Sequence, residues 1–170
     1  GRAHRHADRL VRVPTDPEGR AKGWIAPMNA VAVVTIAFLL MEASNVLTLY
    51  FFPGSKYANG VGVFKAWEKS KQDPEVHDLV RYLVNWVAGT KLIFILLLIV
   101  ILATAPQTTL LWTGAAMLVS IASFFWRLFP LVRKMDRGGK IDPANYSAVL
   151  GWMIAGMMAV FLAALVIAVL

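Results

Sequence analysis

The sequence has no cysteine, which excludes a disulfide framework, an iron–sulfur cluster and a thiolate zinc site. Charge is scarce as well. Asp, Glu, Lys and Arg make up 16% of 170 residues and hydrophobic residues 58%, so the mean hydropathy of +0.62 lies far above that of a water-soluble domain. Histidine occurs only as His4, His6 and His77, none inside an apolar run, so bis-histidine haem ligation is not expected. There is no serine, histidine and acid grouping, phosphate-cradling glycine loop, acid-rich metal motif or histidine box. The expectation is a chain that is not an enzyme, with no metal and no cofactor.

What is present is a set of four long apolar runs, about 24–52, 79–105, 110–131 and 148–170. Each has about the 20 residues that cross 30 Å of hydrocarbon as a helix. The fold class expected is therefore all-α: an integral membrane four-helix transmembrane bundle over residues 23–170, behind a polar basic N-terminal tail at 1–22. Arg2, Arg5, Arg9, Arg12, Arg20 and Lys22 charge that tail, and Pro14 and Pro17 prevent a continuous apolar stripe. The first run is too long for a signal-peptide core, holds Glu42 and is followed by no small-residue cleavage site. The tail's Asp8, Asp16 and Glu18 argue against a transit peptide, and no cleavable signal is expected. Trp24, Tyr50, Tyr82, Trp86, Trp112, Trp126, Tyr146 and Trp152 lie near span ends, where amphipathic rings prefer the headgroup layer.

The runs are joined by a long loop (53–78), a tight turn at Ala105-Pro106-Gln107-Thr108 and a second loop (132–147). Val61, Phe64 and Trp67 recur at helical spacing opposite Lys65, Glu68, Lys69 and Lys71, which suggests a short interfacial amphipathic helix. Both loops end alike, in Lys71-Gln72-Asp73-Pro74 and Lys140-Ile141-Asp142-Pro143. Asp is a good N-cap and Pro suits the first helical position, so spans two and four are expected to start on the same cap. Orientation is ambiguous: the tail carries 6 Lys and Arg and the loop side 8.

The net charge of +7 finds no polar segment long enough to build a nucleic-acid-binding face. It points instead to anionic membrane lipids, with Arg127, Arg133, Lys134 and Arg137 at the end of span three as headgroup ligands or plain topology anchors. The remaining partners expected are other membrane protein chains or a second copy, in the bacterial cytoplasmic membrane.

Two charges fall inside the runs, Glu42 and Lys91, and intramembrane ionisable residues are costly enough to be functional candidates. Glu42 lies ten residues before Phe52 and Lys91 twelve after Leu79, which puts both roughly 15 to 18 Å from one membrane face if the spans are antiparallel neighbours. Asn45 and Asn85 are their candidate polar neighbours. The readings open are an ion pair or bonds to polar neighbours that fix helix register, a carboxylate that binds a proton or cation in turn, and either a snorkelling Lys91 or a Glu42 protonated against lipid. Span four repeats small residues every fourth position, Ser147, Gly151, Ala155, Ala159 and Ala163, as a face on which another helix of this chain or of a partner could pack. The function expected is a small integral membrane subunit or accessory protein acting through helix packing and lipid contact. The alternative is a small proton- or ion-coupled transporter using Glu42.

Leu40-Met41-Glu42-Ala43 in span one and Trp112-Thr113-Gly114 opening span three loosely resemble the small multidrug resistance family. That resemblance implies proton coupling at Glu42 and export of cationic compounds by a dimer. It covers a few residues only, and the chain departs from the family in its tail, its long first and third loops and Lys91, so it serves as an analogy.

Overall fold

A computed structural model of the protein describes residues 29–170; the tail at 1–22, Trp24 and the start of the first apolar run lie outside them. Four spans follow one another as α1 (Ala30–Phe51), α3 (Pro74–Thr104), α4 with α5 (Gln107–Ala122 and Phe124–Arg137) and α6 (Tyr146–Val169). The short α2 (Lys65–Ser70) sits in the first loop, and no strand occurs among the described residues. The protein is an all-α membrane protein built as a four-helix bundle.

Each helix start has an identifiable cause. Asn29 accepts the Ala32 N–H at 2.7 Å and caps α1. Asp73 Oδ1 accepts from Glu75 N at 3.1 Å and Val76 N at 3.2 Å, with Pro74 at the first position of α3. The matching Asp142-Pro143 does not repeat this. The α6 helix starts at Tyr146, and its free N–H groups are met by Asp136 from the end of α5, whose carboxylate accepts from Asn145 N at 3.2 Å and Ser147 N at 2.8 Å. Asp142 is drawn away by Lys56 of the other loop.

The helix most enclosed by its neighbours is α1, which packs mainly along α3 and also touches α6 and α4. Its buried residues Val31, Thr35, Leu39, Glu42, Val46 and Leu49 advance by threes and fours, as do the buried Val84, Ala88, Ile95 and Leu98 of α3 once the half-buried Lys91 is counted between Ala88 and Ile95. This is the 3.5-residue spacing of an antiparallel coiled-coil seam. Leu49 packs with Val84 and Ala88 toward the loop end, while Leu39, Val46, Ile95, Leu98, Met117 and Phe161 join all four spans deeper in the bundle. Phe38 adds edge-on contacts to Phe94 at 6.2 Å and Phe161 at 5.9 Å. Gly114 lets α4 close on two helices at once: a Cβ there would lie 2.9 Å from Val31 Cγ1 and 3.2 Å from Leu165 Cδ2.

The outward faces are apolar. Leu92, Ile93, Leu96, Leu97 and Val100 of α3 are exposed, as are Val160, Leu162 and Val166 of α6, the inverse of a soluble bundle. Tyr50, Tyr82, Trp86, Trp126 and Trp152 also point outward and lie toward the loop end of their spans, forming an aromatic belt, with Trp112 near the opposite end.

Span three is not the single helix expected over 110–131. It runs further, to Arg137, and is interrupted at Ser123. The Ser123 hydroxyl donates to Ser120 O at 2.6 Å, offering the backbone a non-helical partner, and Pro130 has no N–H to give the Trp126 carbonyl.

The two long loops fold together into a cap. Lys65 N donates to Lys140 O at 3.0 Å and Asp142 N to Val63 O at 2.9 Å, and Val63, Val132 and Ile141 form a small apolar core beneath. The helix expected to lie on the bilayer surface is only the six-residue α2. Its Trp67 is buried against His77 and Gly54 of the same chain, because the cap supplies apolar cover closer than lipid does.

The Lys56–Asp142 ion pair locks the two loops across the cap. The hydrogen bond from Lys56, then its charge and that of Lys65, hold the Asp142 carboxyl below the usual aspartate range. A depressed folded value means this contribution is complete above the unfolded aspartate value of about 3.9 and is lost as pH falls through the lower folded one. Carbon-detected NMR of Asp142 should therefore show a midpoint below that value, which Lys56→Gln returns upward. An unchanged midpoint in Lys56→Gln would show that the pair does not hold in solution.

Candidate functional site

The seam between α1 and α3 carries the charged residues of the bundle interior. Glu42 falls on the buried stripe of α1 and Lys91 on that of α3, and Lys91 Nζ donates to Glu42 Oε2. Asn45, one turn along on the same face and buried, donates from Nδ2 to Glu42 Oε1 at 3.4 Å, a long bond. Both carboxylate oxygens are thus engaged, and no buried side-chain nitrogen or oxygen lacks a partner among the described residues. Burial is uneven: the Glu42 side chain is 10% exposed and that of Lys91 29%, so the ammonium keeps an edge toward the outside of the bundle. Thr35, two turns away on the same stripe, is also buried and turns its hydroxyl back to Val31 O at 2.7 Å.

Asn85 does not join this group. Six residues on a helix rotate by about 240° beyond a full turn, which takes Asn85 off the seam occupied by Lys91 and leaves it exposed.

The small-residue stripe is divided. Ser147 and Gly151 are buried, and Gly151 meets α5 so closely that a Cβ would lie 2.8 Å from Phe129 Cε2. Ala155 is half-buried, whereas Ala159 and Ala163 are exposed. The packed face follows Ser147, Gly151, Phe161 and Ala164, while a strict four-residue repeat drifts about 40° per step around a 3.6-residue helix.

Arg127, Arg133, Lys134 and Arg137 lie along the last turns of span three, three of them on exposed positions at the loop end and Arg127 with its guanidinium 5.4 Å from the Trp126 ring centroid. A further polar contact lies in the cap. Ser70 Oγ donates to Trp67 O at 2.7 Å and is hydrogen-bonded to His77 Nδ1 at 2.9 Å, with the His77 ring 4.9 Å from Trp67. This bond ties α2 to the first turn of α3. No local pattern announced it or the Lys56–Asp142 pair, whose partners are 86 residues apart.

No group of three or more His, Asp or Glu side chains comes together as a metal site among the described residues. Comparison of the chain with protein-family models, with curated proteins and with solved structures finds no match in any of the three. The likeness to the small multidrug resistance family therefore stands on the few residues quoted for it.

Proposed function

We propose that the chain is a small integral membrane subunit or accessory protein, in a bacterial cytoplasmic membrane, that works through helix packing and lipid contact within a larger assembly and catalyses no reaction. The observation that carries this role is the uncovered edge of α6. Gly156, Ala159 and Ala163 share one exposed face, and a Cβ at Gly156 would meet nothing within 4 Å. Small side chains let a second helix approach closely, which is how helices gain contact where lipid removes the hydrophobic drive. The Glu42–Lys91 pair supports the same role, since both charges are answered inside the bundle and can set the register of α1 on α3.

Extraction from the native membrane in mild detergent, followed by native mass spectrometry, tests this. Partner chains or a second copy should co-purify, and Ala159→Leu with Ala163→Leu should strip them while leaving the monomer folded. A lone monomer from the unaltered chain would overturn the role. The alternative, a transporter that cycles Glu42, requires Lys91 to leave the carboxylate at each turnover. Its signature is a transport phenotype lost in Glu42→Gln.

A further inference from the structure

The Phe125–Arg133 stretch of α5 and the first turns of α6 enclose an open cleft of about 330 Å³, at the lower end of the roughly 300 to 1,000 Å³ that small ligands occupy. Phe125 and Phe129 form one wall, Gly151, Trp152 and Ala155 the other, and Arg133 stands at one end. The helices are antiparallel, with Phe129 against Gly151, so the cleft runs from Arg133 at the loop end to the level of Phe125 and Ala155, eight residues and about 12 Å deeper. The exposed Trp152 stands beside Gly151 at its middle, and the exposed Trp126 beside Phe125 at its inner end, both in the aromatic belt that marks the interface. Its inner end is lined by the apolar Phe125 and Ala155, and its mouth carries Arg133.

Cations outnumber acids at the mouth, where Arg133, Lys134 and Arg137 stand against Asp136. Arg133 pairs with no carboxylate among the described residues. Asp136, one turn on, is committed to the start of α6 through Asn145 N and Ser147 N. Arg137 follows Arg133 by four residues and adds a second cation on the same side of α5. The cleft therefore favours an occupant with an anion at one end and hydrocarbon at the other, spread over about two helix turns.

We propose that this cleft is a binding site for one anionic phospholipid, its phosphate on the Arg133 guanidinium and an acyl chain laid between Phe125 and Ala155. The site deepens the lipid-contact part of the function proposed above and rests on it. Arginine suits the role because its planar fork can donate two parallel hydrogen bonds to phosphate oxygens. Gly151 keeps the wall open, since a side chain there would be driven into Phe129.

The full chain, purified in mild detergent and offered equal phosphatidylglycerol and phosphatidylcholine, should retain one phosphatidylglycerol in native mass spectrometry. Arg133→Gln should reduce that retained fraction about tenfold, the scale of a lost charge-assisted hydrogen bond. Arg81→Gln, which removes a cation at the loop end of α3, should leave it unchanged. Ala155→Leu should also displace the lipid by filling the cleft with every charge in place. Should Ala155→Leu fail to fold, the Arg133 and Arg81 variants decide alone. Equal retention of the zwitterionic lipid, or equal loss in Arg81→Gln and Arg133→Gln, would overturn the site in favour of diffuse attraction. Inorganic phosphate competing as well as the lipid would assign Arg133 to a simple anion and overturn it too. The isolated chain suffices for every arm, so the absence of partner chains leaves this result independent of the subunit role.

Discussion

Replacing Lys91 with Met should destabilise the bundle more than replacing both Lys91 and Glu42. Lys91→Met leaves Glu42, only 10% exposed, with the single long hydrogen bond from Asn45 in the interior of a bilayer-spanning seam. Stranding one member of a buried ion pair costs about 3 to 5 kcal/mol, and a charged residue at the centre of a span about 2.5 to 3.5 kcal/mol on insertion scales. Glu42→Gln should cost less, because Lys91 is 29% exposed and its long stem can carry the ammonium toward the interface. The double variant Glu42→Gln with Lys91→Met strands nothing and should recover most of the larger loss. Thermal unfolding in detergent reads all four species. Losses that simply add would mean that the two side chains do not interact and that Glu42 is held by other groups.

The meeting of Glu42 and Lys91 was legible because depth along a span is local to each helix. The depths of Glu42 and Lys91 follow from the rise per residue once the spans are antiparallel, whereas the stripe of Leu39, Glu42, Val46 and Leu49 around the carboxylate emerges only with the structure. The four spans were legible for the same reason: length and hydropathy against the thickness of a bilayer. What was illegible depends on partners far away in the chain. Asp73-Pro74 and Asp142-Pro143 read alike, yet only Asp73 caps its helix, because Lys56 engages Asp142 and Asp136 takes over the start of α6. Trp67 looked like a side chain for the lipid surface and is covered by His77, which the first turn of α3 brings back over it. The four-residue repeat of span four does not say which of its residues pack within the chain, since only tertiary contact reveals that Phe161 and Ala164 point inward while Ala159 and Ala163 stay on the outside of the bundle. The α5–α6 cleft was missed because its walls come from two helices and depend on how closely they pack.

The cap over the loop end gives a second large effect, at a residue that neither charge nor hydropathy singles out. Gly62 lies where the first loop folds back on itself: Val61 N donates to Pro53 O at 2.8 Å and Gly62 N to Ser55 O at 3.0 Å. A Cβ on Gly62 would stand 1.9 Å from the Gly54 carbonyl oxygen and 2.8 Å from that of Ser55, both backbone atoms that cannot swing aside as a side-chain tip would. Gly62→Ala must therefore push the 53–55 strand of the loop away from 61–63. The displacement passes directly to Val63, which holds Asp142 N by its carbonyl and packs on Val132 and Ile141. Overpacking of this kind costs about 1 to 3 kcal/mol and sometimes more, and backbone as the obstacle puts Gly62→Ala at the upper end. Gly156→Ala is the matched control, because it adds the same methyl where nothing lies within 4 Å and replaces glycine in a helix, a change worth about 0.5 to 1 kcal/mol in the stabilising direction. Thermal unfolding should move in opposite directions for the two variants. In Gly62→Ala, hydrogen exchange at Asp142 N and Lys65 N should rise steeply while the amides of α1 and α3 around Glu42 and Lys91 stay protected, since the cap is joined to the spans but built on its own small core. Equal thermal midpoints for Gly62→Ala and the unaltered chain would mean that the loop is not folded back as described and that the cap does not lock span to span.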